Sequence, residues 1–367
     1  MTSKPAVVVL NVGSSSVKFR VLSAEDALPV LADGRVTGIG SQPSLHLRGE
    51  QSQALETGLD LGGAIQAVLD FLRSQERDWT LLAAGHRIVH GGKEFRVPVL
   101  LGADILERLE LYVPLAPLHQ RHNLDAVRAL ARCYPELPQV GCFDTAFHAD
   151  HDPVTASYAL PQALRDRGIR RYGFHGLSYE WIAQLLTGEP GGAPERVVVA
   201  HLGNGASLCA MRSGKSVDTT MGMTALEGLP MGTRCGAIDP GAVLYLLRSC
   251  DMSPDEVQRV LHDESGLKGL SGGISDMSAL VASDRPEAKL AVDYFVLRTA
   301  QKIGEMVVSL GGLDALVFTG GIGENVGLVR ERIVERLAFL PAFDVRIIPA
   351  DEERMIGLHM LRLLQAR

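Results

Sequence analysis

What most constrains this chain is a device written twice. Val7-Val8-Val9-Leu10-Asn11-Val12 reads as an apolar strand that runs into a Gly/Ser turn, Gly13 to Ser16, and a second strand follows through Val17 to Leu22. Val197-Val198-Val199-Ala200-His201-Leu202 repeats the plan, with the turn Gly203-Asn204-Gly205 and a second strand from Ser207 to Met211. Gly13 falls in register with Gly203, and Asn11 with His201. A small-residue turn between strands exposes backbone N–H groups and forms a concavity suited to anions. One such turn in each half implies two lobes that grip a polyphosphate between them.

At 367 residues the chain exceeds one comfortable core, so two domains are expected. Hydrophobic residues at 46% and charged residues at 22% fit a globular protein outside the membrane. A net charge of −7 argues against nucleic acid or an anionic membrane as partner, and means that an anion site must be built from locally placed cations and backbone donors. The apolar run Ala6 to Leu10 is too short for a signal-peptide core or a membrane span. Five cysteines without C-x-x-C spacing argue against a disulfide framework or a zinc site, and fit a reducing cytoplasm.

Strands are expected at 7–12, 16–22, 81–89, 139–143, 216–219 and 315–319. The 3.6-residue period of Leu61, Ile65, Val68, Leu69 and Leu72 predicts a helix over 60–75. Asp104 reads as the N-cap of a helix through Leu111, and Asn123 as the start of another. Further helices are expected at 240–249, 254–262, 286–310 and 351–366. Alternating strands and helices make the class α/β. The loop around Pro153 and Pro161 is the candidate boundary, giving an N-terminal lobe over 1–150 and a C-terminal nucleotide-binding lobe over 151–352.

Five sets of residues carry candidate chemistry. In N-V-G-S-S-S-V-K, Lys18 points to the same side as Ser16 and reaches a phosphate held by the turn. Gly320-Gly321-Ile322-Gly323-Glu324-Asn325 follows a strand, where α/β folds bind nucleotides, but it matches neither G-x-G-x-x-G nor a P-loop. Arg87, Arg171 and Arg234 stand among glycines and apolar residues with few carboxylates close in sequence, which makes an anionic ligand plausible. His119 and His175 are flanked by apolar residues, and such a histidine is more often a bonded core residue than a catalyst. Asp144 at a strand end serves equally well as a magnesium ligand or a helix cap.

Taken together, N-V-G-S-S-S-V-K, H-R-I-V-H-G-G, L-A-P-L-H, F-D-T-A-F-H, R-R-Y-G-F-H-G, H-L-G-N-G-A-S, M-G-T-R-C-G-A-I-D-P-G, G-G-I-G-E-N and P-A-D-E-E resemble the signatures of the acetate kinase family, in that family's order. The resemblance implies a two-lobed ribonuclease-H-like (actin-like ATPase) fold, with duplicated mixed-sheet domains, an interlobe cleft and a C-terminal helix, 353–367, that rejoins the first lobe. It implies phosphoryl transfer between ATP and acetate with Mg2+, or Mn2+ in its place, in a cytoplasmic homodimer. Asn11 and Glu352 would hold the metal, and Arg87 the substrate carboxylate. Val89, Leu118 and Phe174 would line the acyl pocket. Asp144, His175 and Arg234 would be catalytic. Lys18, His201, Leu202, Gly203, Asn204 and Gly205 would contact the ATP phosphates. Asp276, Met277 and Ser278, with Gly321, Ile322, Gly323, Glu324 and Asn325, would complete the nucleotide site.

The chain departs from the family pattern at four places. Ser278 replaces an arginine near the nucleotide, Ala225 a proline of the acyl pocket, and Gln120-Arg121-His122 the usual Asn-Pro-Ala, while Ala237 stands where a polar residue is common. Propionate or butyrate as substrate, another phosphoryl donor such as pyrophosphate, and a nucleotide-binding sensor without catalysis are the competing expectations.

Overall fold

A computed structural model describes residues 3–13, 16–25, 27–75, 77–117 and 119–365. The chain divides into two compact units, Met1–Ala146 with Asp351–Arg367, and Phe147–Ala350. These divisions fall at 146/147 and 350/351, against the expected 150/151 and 352/353.

The first unit is built on an eight-stranded sheet: β1 (Lys4–Val12), β2 (Ser16–Ser23), β3 (Val30–Thr37), β4 (Ser44–Leu47), β5 (Gln53–Ala54), β6 (Trp79–Ile88), β7 (Val99–Leu100) and β8 (Gln139–Phe143). Its order is β5-β4-β3-β2-β1-β6-β8-β7, with β1, β6 and β8 parallel and the β1–β2 hairpin antiparallel. Helix Leu61–Ser74 forms because Asp60 caps it, accepting from Gly63 N at 2.9 Å, and because Ala64, Ile65, Val68, Leu69 and Leu72 give it one apolar face. That face enters a core shared with Val8, Leu10, Phe19 and Val21 of the sheet. The C-terminal helix Glu352–Gln365 buries Met355, Ile356 and Met360 and packs on β1 and β6. It approaches so closely that a Cβ on Gly85 would lie 2.4 Å from Met360 Sδ.

The second unit holds β9 (Arg196–Leu202), β10 (Ala206–Arg212), β11 (Lys215–Thr219), β12 (Ala315–Thr319) and β13 (Asp344–Ile347), in the order β11-β10-β9-β12-β13. Val197 and Val199 pack with Tyr179 and Ile182 of helix Gly176–Thr187. Val198 and Ala200 alternate to the opposite face and are equally buried, which explains the unbroken apolar run in the sequence. The repeat is now topological. In each sheet a central strand (β1 or β9) pairs antiparallel with its hairpin partner and parallel with a later strand (β6 or β12), which pairs parallel with a last one (β8 or β13).

Local expectations fail in three places. Gly102, not Asp104, is the N-cap of helix Ala103–Glu110, and Asp104 sits in its first turn. Helix Gln120–Cys133 starts before Asn123, which lies buried inside it. The helix expected over 254–262 ends at Arg259 and continues as a π-turn, Val260–Glu264. The G-G-I-G-E-N segment follows its strand as expected and is itself helical, Gly320–Asn325.

Candidate active site

In the first unit, parallel pairing brings the C-terminal ends of β1, β6 and β8 side by side, the edge at which open α/β sheets bind ligands. Each strand presents one polar residue there: Asn11, Arg87 and Asp144. Arg87 Nε donates to Asp144 Oδ1 at 2.9 Å, and its Nη2 donates to Oδ2 at 2.6 Å. The remaining nitrogen, Nη1, lies 3.3 Å from Asn11 Oδ1 and 3.4 Å from Glu352 Oε2 at the start of the C-terminal helix. Burial works against the guanidinium charge, but Asp144, Glu352 and Glu353 outweigh it, and the Arg87 pKa is raised. Lys18 stands directly across the hairpin from Asn11 and is exposed. Ser14 and Ser15 of that turn, and Leu118 of the expected acyl pocket, lie outside the described residues.

Sequence reasoning missed a clamp on the backbone that follows Arg87. Asn123 Oδ1 accepts from Val89 N at 3.0 Å, and its Nδ2 donates to Val12 O at 2.7 Å. Gln120 accepts from His90 N at 3.1 Å and donates to His90 O at 3.0 Å. Thr145 Oγ1 accepts from Gly91 N at 3.0 Å. Gln120 is one of the departures from the family pattern, and that departure was its only signal.

In the second unit, His175 precedes helix Gly176–Thr187 in the left-handed region, at φ 59°. A non-glycine residue held there stores strain, a condition concentrated at functional sites. Its Nδ1 is 2.8 Å from Ser207 Oγ, which is 2.5 Å from the Tyr179 hydroxyl. Its ring stacks on His201 at 4.4 Å, and His201 Nδ1 meets Ser178 Oγ at 2.8 Å. A Cβ placed on Gly205 would lie 3.3 Å from His175 Nε2 and 4.0 Å from Arg234 Nη1, so the turn, the imidazole and the guanidinium converge. Arg234 Nη1 is anchored on Ala225 O at 3.1 Å. Asn204 O accepts from Gly232 N at 3.0 Å.

The two hairpins diverge where it matters. Asn11 pairs with Lys18, whereas His201 pairs with Ser207, the residue that orients His175.

The third glycine segment abuts the second hairpin: a Cβ on Gly203 would lie 3.8 Å from Gly321 N. Gly320, at φ 77°, has Leu202 O 2.8 Å from where a Cβ would sit, so only glycine fits. Glu324 Oε1 accepts from Gly320 N at 2.8 Å and from Ala350 N at 3.0 Å, while Asn325 donates to Gly321 O. Leu202, Ile322 and Gly323 are buried. Asp276 caps its own helix on Ala279 N, Met277 is buried, and Ser278 is exposed. Val89 is half-buried and Phe174 buried. Arg171 is no free anion receptor, because it pairs with Glu227 at 2.8 Å and donates to Thr219 O. Among the described residues no cluster of three or more His, Cys, Asp or Glu side chains is arranged to hold a metal, and no helix is long and apolar enough to cross a membrane.

Duplicated mixed sheets of this topology, with polar residues at the strand ends of one and glycine turns beside His and Arg in the other, define an α/β protein of the actin-like ATPase fold equipped for phosphoryl transfer. The chain belongs to the acetokinase family, whose model matches residues 6–356. It is 48% identical to an acetate kinase of Nitrobacter hamburgensis, over 99% of this chain and 97% of that relative. It is 40% identical to a propionate kinase of Yersinia enterocolitica, over 99% and 97%. Among solved structures, a propionate kinase from Francisella tularensis matches with a TM-score of 0.91 at 35% identity, over 98% of this chain and 99% of that one. An acetate kinase from Porphyromonas gingivalis matches with 0.87 at 32%, over 99% and 100%.

Proposed function

We propose that this enzyme transfers a phosphoryl group reversibly between ATP and acetate, forming acetyl phosphate and ADP. The acetate oxygen bonds to the γ-phosphorus as the bond from phosphorus to the ADP oxygen breaks. A carboxylate is already ionised near pH 7, so attack needs no general base. The transition state spreads charge over three oxygens, and the protein's task is alignment and neutralisation. Arg87 receives the acetate carboxylate. Asp144 works by fixing the plane of Arg87, and Val89 and Phe174 with Leu118 limit the acyl group. Arg234 and His175 neutralise the transferring group. With Tyr179 donating to Ser207 and Ser207 to Nδ1, His175 keeps a proton on Nε2 for that purpose. The second hairpin, His201 to Gly205, and the segment from Gly321 to Asn325 receive the nucleotide, with Lys18 on its phosphates and Asp276 to Ser278 beside it.

Asn11 and Glu352 meet on one nitrogen of Arg87 and offer oxygen donors only, a set that fits magnesium held by few protein ligands and completed by phosphates. Bound there, Mg2+ supplies charge neutralisation on the phosphate oxygens. A cytoplasmic homodimer belongs to the same proposal. The observation that carries the reading is the two-point grip of Arg87 on Asp144, with Asn11 and Glu352 on its other nitrogen. Trapping the product as acetohydroxamate in the presence of ATP, acetate and magnesium tests it; ATP binding without acyl phosphate would defeat it.

Propionate is the second reading. Ala225, where a proline is usual, lies beside the proposed phosphoryl site through its bond to Arg234, and the propionate kinases above support it. One methylene is worth about 1–3 kcal/mol of discrimination. Comparing kcat/KM for acetate, propionate and butyrate decides between the readings.

A further inference from the structure

Arg87 and Asn11 open a row of polar side chains that continues across the sheet. Asn11 pairs with Lys18, Lys18 with Arg35, and Arg35 with His46. Five neighbouring strands, β6, β1, β2, β3 and β4, thus each place one polar residue in a line. At ~4.8 Å per strand the line spans roughly 19 Å. Lys18 and Arg35 are like charges directly opposed, an arrangement that costs stability rather than adding to it. Arg48, in the turn that follows β4, lines the same groove and adds a third cation.

Among the described residues none of Lys18, Arg35 or Arg48 has a carboxylate within ion-pair distance, and all three are exposed. Neighbouring Arg20, by contrast, is neutralised by Asp33 at 3.0 Å and Asp351 at 2.5 Å. These side chains line a groove of about 400 Å³. Arg20, Asp33 and Glu353 line the same concavity, and Arg20 takes up both carboxylates, so a chain with a net charge of −7 still keeps three cations without an ion-pair partner there, and such a local conflict is the mark of a functional surface.

We propose that this groove binds a free oligophosphate chain, with Arg35 and Arg48 as its own ligands and Lys18 shared with the nucleotide phosphates. Arginine forks match tetrahedral phosphate oxygens, and a linear chain of phosphates matches a linear row of cations better than a single anion does. Binding itself stands apart from the proposed kinase reaction; only the sharing of Lys18 with ATP rests on that reading.

The test is calorimetric titration of inorganic tripolyphosphate into the full chain at low salt. Binding with a stoichiometry of one is expected, weakened at least tenfold by Arg35→Ala or by Arg48→Ala. Arg336→Ala, which removes an exposed charge in the other unit, should leave it unchanged. In turnover assays tripolyphosphate should compete with ATP, and Arg35→Ala should relieve that inhibition while the KM for ATP and for acetate stays within twofold. No binding up to millimolar concentration overturns the proposal. So does equal affinity in wild type and the two row variants, which would place tripolyphosphate in the ATP turn alone. An equal loss in Arg336→Ala would reduce the effect to net charge, and a parallel loss of ATP affinity in Arg35→Ala would assign the groove to the nucleotide. If no acyl phosphate is formed, the titration still decides.

Discussion

Arg87 holds Asp144 through two nitrogens, at 2.9 and 2.6 Å, and the Asp144 side chain is only 2% exposed. The pair therefore serves the fold as well as the proposed chemistry. Removing one partner of a buried pair leaves an uncompensated charge and costs about 3–5 kcal/mol. Arg87→Ala is expected to lower kcat/KM for acetate by about 10³-fold or more, and also to lower the urea midpoint. Replacing both, Arg87→Met with Asp144→Leu, should recover most of the stability and none of the activity. Denaturation and steady-state kinetics on the single and double variants check this; a single variant as stable as wild type would count against the pair.

The clamp on Val89 to Gly91 predicts an effect confined to the acyl side. Asn123→Asp keeps the acceptor for Val89 N–H but replaces the donor to Val12 O with another acceptor. Gln120→Glu does the same to the pair of bonds on His90. Each leaves a buried carbonyl unsatisfied, at about 1–3 kcal/mol. The expected outcome is a KM for acetate raised about tenfold or more, with the KM for ATP within twofold. Kinetics with each substrate varied in turn give the answer, and a matched rise in both constants would mean general loosening.

The duplicated hairpins were legible because their signal is local: apolar runs, a glycine turn and a repeat of the same spacing. The partners of the arginines were not. Asp144 lies 57 residues from Arg87, and Glu227 lies 56 from Arg171, so a scarcity of nearby carboxylates in the sequence says little about what the fold supplies. For Arg171 that scarcity misled outright. Asn123 read as a helix start because asparagine caps helices well, yet Ala116 O already accepts from Gln120 N and the helix begins there. Only 2% exposed, Asn123 spends its amide on two separate strand ends. Side chains that satisfy distant backbone groups leave no periodic trace in a sequence.

His175 couples backbone strain to chemistry, and the two can be separated. Asparagine tolerates the left-handed region, so His175→Asn keeps the turn and removes the imidazole. It should lower kcat by about 10²-fold or more, with an unchanged melting temperature and a KM for acetate within twofold. Ser207→Ala removes the oriented hydrogen bond at Nδ1 together with the partner of the buried Tyr179 hydroxyl, leaves the imidazole in place and should cost less, about tenfold in kcat. Equal losses in the two variants would indicate that Ser207 acts by holding the core, not by orienting the ring.

Buried neutral histidines set the acid limit of the fold. Burial pushes His86 down to about 4, against the hydrogen bond that its Nε2 donates to Gln139 Oε1. Burial, with His151 nearby, pushes His148 to about 3, and burial beside Arg171 and Arg170 pushes His151 to about 4. His148 Nε2 donates to Phe174 O at 3.0 Å, so its Nδ1 accepts from Ser216, whose oxygen in turn accepts from His151. That chain requires a neutral His148, and burial beside the two arginines disfavours the charged form of His151. Each folded-state pKa lies below the unfolded value near 6.5, so between about 6.5 and 4 the unfolded chain binds more protons. Stability from these groups is complete above pH 6.5 and falls as pH drops towards 4. His86, removed from solvent, accounts for on the order of 3 kcal/mol of that loss. Urea midpoints measured from pH 8 to pH 4 should decline below 6.5, and His86→Gln, which cannot be protonated, should flatten the decline. A wild-type midpoint independent of pH across that window would contradict the neutral state of all three rings.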